Sequence, residues 1–508
     1  MATTTLTGTT GNDILNAPGS VSTLVQGLQG NDTITLALAN DEAGAGEGND
    51  IVSITRQGIV VNTIQGGDGN DTVFIRSANQ FAGYVDLGAG NDSITLGTAT
   101  FPLTNGGQIY GGEGADTLEL KGSFVNSTVG AGSGNDLLTF TAAGTITSSL
   151  INGGKEKDTI NFGAAAGNSF VTVAGGQGSD QITFLTGGGM ANSLVGGGQG
   201  TDSIVIATTA AVASIAGGGL EDTIRLTAFG GGVVFGDANG VTTAGTGTEG
   251  SADGADLISS TAAGGLTGVT SIYGAGGNDT ISLTAGGQFG GASATANLID
   301  GGEGSDIIGV SNGNAFGTIT GGAGNDTIVI AGAAAAQAGL GAIATISGGD
   351  GSDLINIASA TATFTTNADV GLNTPITGGG ATYQAVIAGA SGDKVQLLTA
   401  VTFGTSNVAA NWSVVGTPTI YVGSSMAFSG AVTGGAGAAG SIAVFSDGTD
   451  SVIGIYAGGT ASAFERILIK GVDLTITTVV NGAVISTATT FRFTVAGSSS
   501  GGMTISFA

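Results

Sequence analysis

A Gly-Gly-x-Gly-x-Asp string followed by a short apolar run stands intact at Gly66 to Asp71, Gly111 to Asp116, Gly175 to Asp180, Gly197 to Asp202, Gly301 to Asp306, Gly321 to Asp326 and Gly348 to Asp353. Looser copies that keep a glycine two residues before the aspartate end at Asp13, Asp32, Asp50, Asp92, Asp136, Asp256 and Asp279. Two degraded copies end at Asp158 and Asp222. A tight turn that aims several carbonyls at one point needs backbone angles that a side chain would forbid, hence the glycines. The aspartate adds a hard, anionic oxygen. Turns stacked at the strand spacing of roughly 4.8 Å bring each aspartate close to the next, which is repulsive unless a cation lies between them. Carbonyl and carboxylate oxygens without nitrogen or sulfur select Ca²⁺.

The candidate metal ligands are therefore the motif aspartates named above, with the turn carbonyls of Gly66, Gly111, Gly175, Gly197, Gly301, Gly321 and Gly348. A single Gly-Asn-Asp string is more often a plain turn than a metal site; the copy number is what favours calcium, on the order of 10 to 15 ions for the whole stack. Asp158 and Asp222 are the weaker candidates, because Lys155-Glu156-Lys157 and Leu220-Glu221 replace the usual turn residues before them. The Lys155 turn is expected to hold calcium weakly or to use an ammonium in its place.

Positioning these residues requires a regular scaffold. Successive motif aspartates lie mostly 18 to 24 residues apart, with gaps of 34 before Asp256 and 27 before Asp306 and Asp353. A period in this range predicts a solenoid whose repeats stack on their neighbours and are not stable singly. Each period holds a short strand such as Asn62 to Gln65, the glycine turn, a second strand such as Thr72 to Ile75, and a variable polar connection. The expectation is two strands per turn, about 16 turns, over residues 1–360.

On these residues the chain resembles the RTX (repeats-in-toxin) family, whose nonapeptide Gly-Gly-x-Gly-x-Asp-x-U-x, with U a large apolar residue, winds a β-roll around calcium. The resemblance covers about residues 8–358. It implies an all-β fold, a right-handed parallel β-roll or β-solenoid, with Ca²⁺ between consecutive turns on one edge. This chain departs from the tandem pattern in carrying about one motif per turn, which implies calcium on one edge and variable loops on the other.

Charge follows the repeat. Residues 1–360 hold 31 acidic and 6 basic residues, whereas residues 361–508 hold 6 and 4. Loading about fifteen inter-turn sites with Ca²⁺ adds on the order of +30 and brings the chain, at −27, close to neutrality, where surfaces associate readily. Without calcium the aspartates repel one another, and 100 glycines in 508 residues raise the entropy cost of ordering. A disordered metal-free state is expected. Extracellular calcium modules typically have Kd of roughly 10⁻⁴ to 10⁻³ M, far above cytosolic calcium, so folding is expected to wait for export.

Cysteine is absent, so calcium rather than disulfides would stabilise an extracellular fold. Met1-Ala2-Thr3-Thr4-Thr5 lacks the basic region and apolar core of a cleavable secretory signal. The most apolar stretch, Ala331 to Ile346, is mainly alanine and glycine with Gln337 inside it and does not read as a membrane span. The low basic content argues against nucleic acid and anionic membranes as partners.

Beyond about Ala360 the motif stops and alternating apolar segments follow, among them Lys394 to Leu398, Trp412 to Val415, Thr419 to Val422, Ile442 to Phe445, Val452 to Tyr456, Ile467 to Ile469 and Thr489 to Val495. With turn signals between them they predict an antiparallel β domain over 361–508. Ser391-Gly392-Asp393-Lys394-Val395, Phe445 to Tyr456 and Ile467 to Val472 resemble the C-terminal domain of RTX proteins exported by type I secretion. That resemblance implies an uncleaved export signal there and the type I machinery as a partner; the alternative is a capping β domain with no transport role.

Catalysis is not expected. With no His and no Cys, a Ser-His-Asp triad, a Cys nucleophile and a His-ligated zinc are excluded. Paired carboxylates for glycoside cleavage stay conceivable, but the acidic residues track the repeat, and the first motif begins at Gly8, leaving no room for a catalytic domain ahead of it. An open solenoid end presents unpaired strand edges, which a second copy could cover. The inventory resembles that of RTX-type surface-layer proteins and implies a self-assembling extracellular structural protein, an S-layer or a surface sheet or filament, with itself as main partner and cell-surface polysaccharide as another. Phe229 to Gly254, Gly286 to Ala296 and Ala331 to Ala342 are candidate lateral contacts. One competitor is an adhesin, which needs an aromatic-lined partner site, for which one Trp and six scattered Tyr offer little. A second is an ice-binding solenoid, which needs Thr-x-Thr arrays; these occur at Thr33 to Thr35 and Thr475 to Thr477 but not at equivalent positions in successive turns.

Overall fold

The computed structural model describes residues 4–358 apart from connections at 55–58, 61, 76–79, 98–105, 142–144, 164–167, 186–189, 209–211, 238–252, 261–269, 284–297, 312–317 and 332–344, and beyond them the strands between Ala385 and Phe507. Every regular element among these residues is a β-strand. The chain forms two compact units, Met1–Asp256 and Leu257–Ala508.

The first unit is a parallel β-solenoid of about 12 turns. One sheet runs from Thr4–Thr7 and Thr23–Gln29 to Ser214–Gly219 and Gly232–Asp237; the other runs from Ile14–Asn16 and Thr33–Leu36 to Thr223–Phe229. Register is kept from turn to turn: Thr63–Asp68 aligns Ile64 with Val85 and Gly67 with Gly88, and Thr72–Ile75 aligns Val73 with Ile94. Two parallel strands per turn match the sequence expectation, while the turn count differs, about 12 here against the expected 16 or so. Twelve motif aspartates, Asp13 to Asp256, belong to the first unit, and Asp279, Asp306, Asp326 and Asp353 belong to the second. The division follows the longest gap in the motif, the 34 residues from Asp222 to Asp256.

The period-2 alternation explains the core. A typical turn buries one apolar residue from the first sheet and two from the second, as in Val25 with Ile34 and Leu36, or Ile64 with Val73 and Ile75, all 0% exposed. Apolar residues then stack across the strand spacing, so ladders of Val, Ile and Leu side chains fill a narrow interior. In the middle turns the second residue is aromatic: Phe140, Phe162 and Phe184 stack with ring centroids 4.8 and 4.3 Å apart. A third, short sheet, Phe124–Val125, Ile146–Thr147, Asn168–Ser169 and Met190–Ala191, closes these same turns. Phe124 packs edge-on against Phe140 at 5.6 Å.

The second unit repeats the plan. Thr270–Gly276, Leu298–Glu303, Thr318–Ala323 and Thr345–Asp350 form one parallel ladder, and Leu257–Ser260, Thr280–Leu283, Ile307–Ser311, Thr327–Ala331 and Leu354–Ala358 the other. Parallel stacking does not stop where the motif stops: Lys394–Leu397 pairs parallel to Leu354–Ala358 and antiparallel to Met503–Phe507. Ile442–Ser446, Ser451–Tyr456 and Phe464–Lys470 pair antiparallel in succession. Of the three segments named as candidate contacts, Gly286 to Ala296 and nearly all of Ala331 to Ala342 lie outside the described residues, as does Thr419 to Val422. Phe229 to Gly254 is not simply a loop, because Gly232–Asp237 forms a strand inside it, aligned with Ser214–Gly219.

Candidate metal centre

The aspartate that ends each motif sits where the glycine turn hands over to the second sheet. Fifteen of the sixteen, Asp32 through Asp353, are buried, with Asp13 half-buried. They form a ladder: the N–H of Asp13 donates to Oδ1 of Asp32 at 2.8 Å, Asp32 to Asp50 at 2.7 Å, Asp50 to Asp71 at 2.8 Å and Asp71 to Asp92 at 2.6 Å. The pattern continues without a break through Asp116, Asp136, Asp158, Asp180, Asp202 and Asp222 to Asp256. In the second unit it joins Asp279, Asp306, Asp326 and Asp353. Asp158 and Asp222, the degraded copies, hold the same rungs as the intact ones.

The second carboxylate oxygen has a different fate. Oδ2 of Asp71, Asp116, Asp158, Asp180, Asp202 and Asp306, among others, is buried and accepts no hydrogen bond. It lies over the first glycine of its own turn, beside the carbonyl of the equivalent residue in the next turn. A Cβ added at Gly153 would collide with Asp158 Oδ2 and Gly175 O; at Gly175 with Asp180 Oδ2 and Gly197 O; at Gly301 with Asp306 Oδ2 and Gly321 O; at Gly321 with Asp326 Oδ2 and Gly348 O. Two acceptors thus converge on one cradle with no donor between them. Of the expected carbonyls, those of Gly175, Gly197, Gly301, Gly321 and Gly348 are brought to such a cradle. The turns before Gly66 and Gly111 differ, since Ala45 and Leu87, both 0% exposed, take the glycine position and place a side chain there.

Burial dominates the electrostatics. Desolvation pushes the carboxyl of Asp71 up to about 7, Asp116 to about 7, Asp158 to about 8, Asp202 to about 7 and Asp222 to about 9, opposed in each case by the N–H bond from the preceding aspartate and reinforced by neighbouring aspartates. A buried anion with an unpartnered oxygen is costly unless a proton or cation answers it. Asp41, a buried aspartate outside the motif, shows the contrast: it accepts from the N–H groups of Thr23, Ala37 and Leu38, so both its oxygens are answered by the chain itself. Among the described residues no three carboxylates converge. Each turn offers a single carboxylate, and any further donors are backbone carbonyls, a donor set that fits a hard divalent cation.

Two features escaped the sequence reading. Where the residue before the aspartate is Asn, it builds an exposed ladder that runs in the opposite sense: Asn31 N–H donates to Asn12 Oδ1, Asn49 to Asn31, Asn70 to Asn49 and Asn91 to Asn70, at 2.7 to 2.8 Å. The recurrent Gly-Asn-Asp spelling was its signal. In the degraded turns, non-glycine residues take left-handed backbone, Glu156 at φ 66° and Leu220 at φ 75°, which costs roughly 1–2 kcal/mol apiece. The Glu156 carboxylate also accepts a hydrogen bond from the Gly134 N–H at 2.9 Å. The expected ammonium substitute is not formed: among the described residues the ion pair is Glu119 with Lys121, and neither Lys155 nor Lys157 reaches a motif aspartate.

The fold and its ladder define a calcium-type parallel β-solenoid. The family model described as the RTX calcium-binding nonapeptide repeat (4 copies) matches residues 22–52, 61–74, 108–121, 265–287, 292–316 and 317–329. The chain carries RTX calcium-binding nonapeptide repeats in several copies, and such repeats support multiple calcium ions. No curated protein matches the chain. Among solved structures it is similar to a hyperactive, Ca²⁺-dependent, β-helical antifreeze protein from an Antarctic bacterium, at 19% identity over 69% of this chain and 85% of that one, with a TM-score of 0.30. Among the described residues no helix is long and apolar enough to cross a membrane.

Proposed function

We propose that this is a secreted structural protein whose folding waits for extracellular Ca²⁺ and which then assembles with copies of itself into a surface layer, sheet or filament. The observation that carries the calcium step is the column of buried Oδ2 atoms without hydrogen-bond partners. Asp13 to Asp353 would hold on the order of 10 to 15 ions, with Asp158 and Asp222 the weakest because Lys155-Glu156-Lys157 and Leu220-Glu221 replace the usual turn residues before them. Bound Ca²⁺ supplies the positive charge these carboxylates lack. The chain's part is to fix one carboxylate oxygen on a backbone N–H and leave the other toward the cradle.

Assembly is supported by the outer face of the second sheet. Its outward positions, one and three residues after each motif aspartate, are nearly uncharged: Thr33 and Thr35, Ile51 and Ser53, Thr72 and Phe74, Ser93 and Thr95, Leu137 and Thr139, with Glu119 and Arg225 the exceptions among the described positions. Ile14, Ile51 and Leu137 are 78, 41 and 38% exposed on it. An uncharged face with apolar side chains suits packing against a second copy. The 361–508 region would act as cap or uncleaved export signal for type I secretion. Electron microscopy of the full chain, first in chelator and then in millimolar calcium, tests the reading. Sheets or filaments only with calcium support it, and folded solitary particles count against assembly.

A second reading uses the same face. Register aligns hydroxyls in neighbouring strands, Thr35 with Ser53 and Thr72 with Ser93, which is the kind of array an ice-binding surface needs. Ile51, Phe74, Leu137 and Glu119 interrupt it, so assembly is preferred. Thermal hysteresis of the calcium-loaded protein decides between them.

A further inference from the structure

We infer that the outer face of the first sheet in the first unit carries a binding site for a neutral oligosaccharide. Six consecutive strands, Thr23–Gln29, Glu42–Glu47, Thr63–Asp68, Tyr84–Ala89, Gln108–Glu113 and Thr128–Ser133, align one outward residue each into a single row: Gln26, Gly44, Gln65, Asp86, Tyr110, Gly130. The row therefore reads amide, gap, amide, carboxylate, aromatic, gap. The sequence could not show it, since these residues lie 18 to 24 positions apart.

The first gap is a trough of about 500 Å³ whose lining includes Gln26, Glu42, Gly44, Thr63, Gln65 and Asp86. It exists because Gly44 has no side chain: a Cβ added there meets nothing within 4 Å. The second gap seats an aromatic ring. A Cβ at Gly130 would lie 3.3 Å from Cδ1 and 3.6 Å from Cε1 of Tyr110, so Tyr110 leans over the bare backbone of the next strand. Tyr84 stands beside it, with ring centroids 5.7 Å apart at 48°, and its hydroxyl donates to Asp86 Oδ2 at 3.1 Å, which fixes the carboxylate at the edge of the trough.

This combination suits sugar rings. A pyranose presents a C–H face that stacks on an aromatic ring and a rim of hydroxyls that pair with amides and carboxylates. A glycan laid across the strands meets one side-chain rung per strand, with one ring in the trough between Gln26 and Gln65 and another on Tyr110. Charge sets the class. The lining offers Glu42 and Asp86 and no Lys or Arg, so uronate, sulfate and phosphate groups are repelled and a neutral sugar is favoured. The site uses neither the aspartate column nor the second-sheet face and does not rest on self-assembly.

The test is titration calorimetry of the full-length, calcium-loaded protein against neutral hexasaccharides of β-1,4-glucose, α-1,4-glucose and β-1,4-mannose, with an oligogalacturonate as the acidic counterpart. Binding of at least one neutral chain is expected, weakened roughly tenfold by Tyr110→Ala, little changed by Tyr110→Phe, and lost with Gly44→Gln, which fills the trough. Both outward positions should leave the far-UV spectrum and calcium-dependent assembly as they are; if Tyr110→Ala fails to fold, Gly44→Gln carries the test, since the space around it is open. Absence of neutral binding, preference for the acidic oligomer, or binding indifferent to Gly44→Gln overturns the proposal.

Discussion

The backbone N–H of Asp71 donates to Oδ1 of Asp92, 2.6 Å away and one turn further on. That bond makes the motif aspartates a structural column before any ion is considered, because from Asp32 to Asp222 each carboxylate spends one oxygen on its neighbour's backbone and keeps the other for the cradle. The two oxygens should therefore separate experimentally.

Asp202→Asn keeps an acceptor for the Asp180 N–H and replaces the unpartnered Oδ2 with an NH₂ that faces the Gly217 carbonyl. We expect about 1 kcal/mol of added stability in chelator and a lower calcium stoichiometry, read by thermal melts and a calcium titration. Asp202→Ala leaves the Asp180 N–H unpaired and should cost roughly 1–3 kcal/mol. Equal behaviour of the two variants would refute the division of labour.

In chelator, stability should fall as pH rises. The folded-state carboxyls of Asp92, Asp180 and Asp306 are raised to about 6, of Asp71 and Asp116 to about 7, and of Asp158 to about 8, by burial. A group raised above its unfolded value contributes stability that is complete below that value, near 3.8, and is lost as pH climbs through the folded value. The metal-free solenoid should thus show most β structure near pH 4 and lose it between about pH 6 and 8, whereas saturating calcium should hold it at pH 8. Circular dichroism in chelator with equal β content at both extremes would sink this.

Gly66→Ala should be poorly tolerated, because the new methyl meets the Leu87 carbonyl and Asp71 Oδ2, and neither backbone nor buried carboxylate yields cheaply. A loss of roughly 1–3 kcal/mol is expected, together with weaker calcium binding. Ala45→Gly, at the matching position one turn earlier, should change stability by about 1 kcal/mol or less. Denaturant melts of both in calcium provide the comparison.

Phe162→Ala removes the middle ring of the stack between Phe140 and Phe184. The expected loss is about 3–5 kcal/mol, measured by chemical denaturation in calcium. Calcium stoichiometry should be unchanged if the variant folds, since Phe162 stands at the far end of its strand from Asp158.

The repeat was legible because its causes are local. Glycine at Gly67 and Gly69 is needed where φ is 117° and 128°, and the alternation around Val73 and Ile75 names the buried face directly. The turn count was less legible, because the spacing of Asp222 and Asp256 shows only that chain is inserted, not that the compact body divides there. The strand Gly232–Asp237 was hidden for a related reason: Asp237 stands where earlier turns have the second motif glycine, aligned with Gly218, so the spelling was lost while the backbone path was kept.

What the sequence determined by itself is the period, the parallel two-sheet winding and an oxygen donor in every turn, since φ preference, side-chain alternation and carboxylate chemistry act within one repeat. Which oxygen of each aspartate is spent, which carbonyl it meets, and that Gln26, Gln65, Asp86 and Tyr110 share one row were decided only by stacking. Register across strands sets those neighbours, and register is a property of whole turns packed on whole turns.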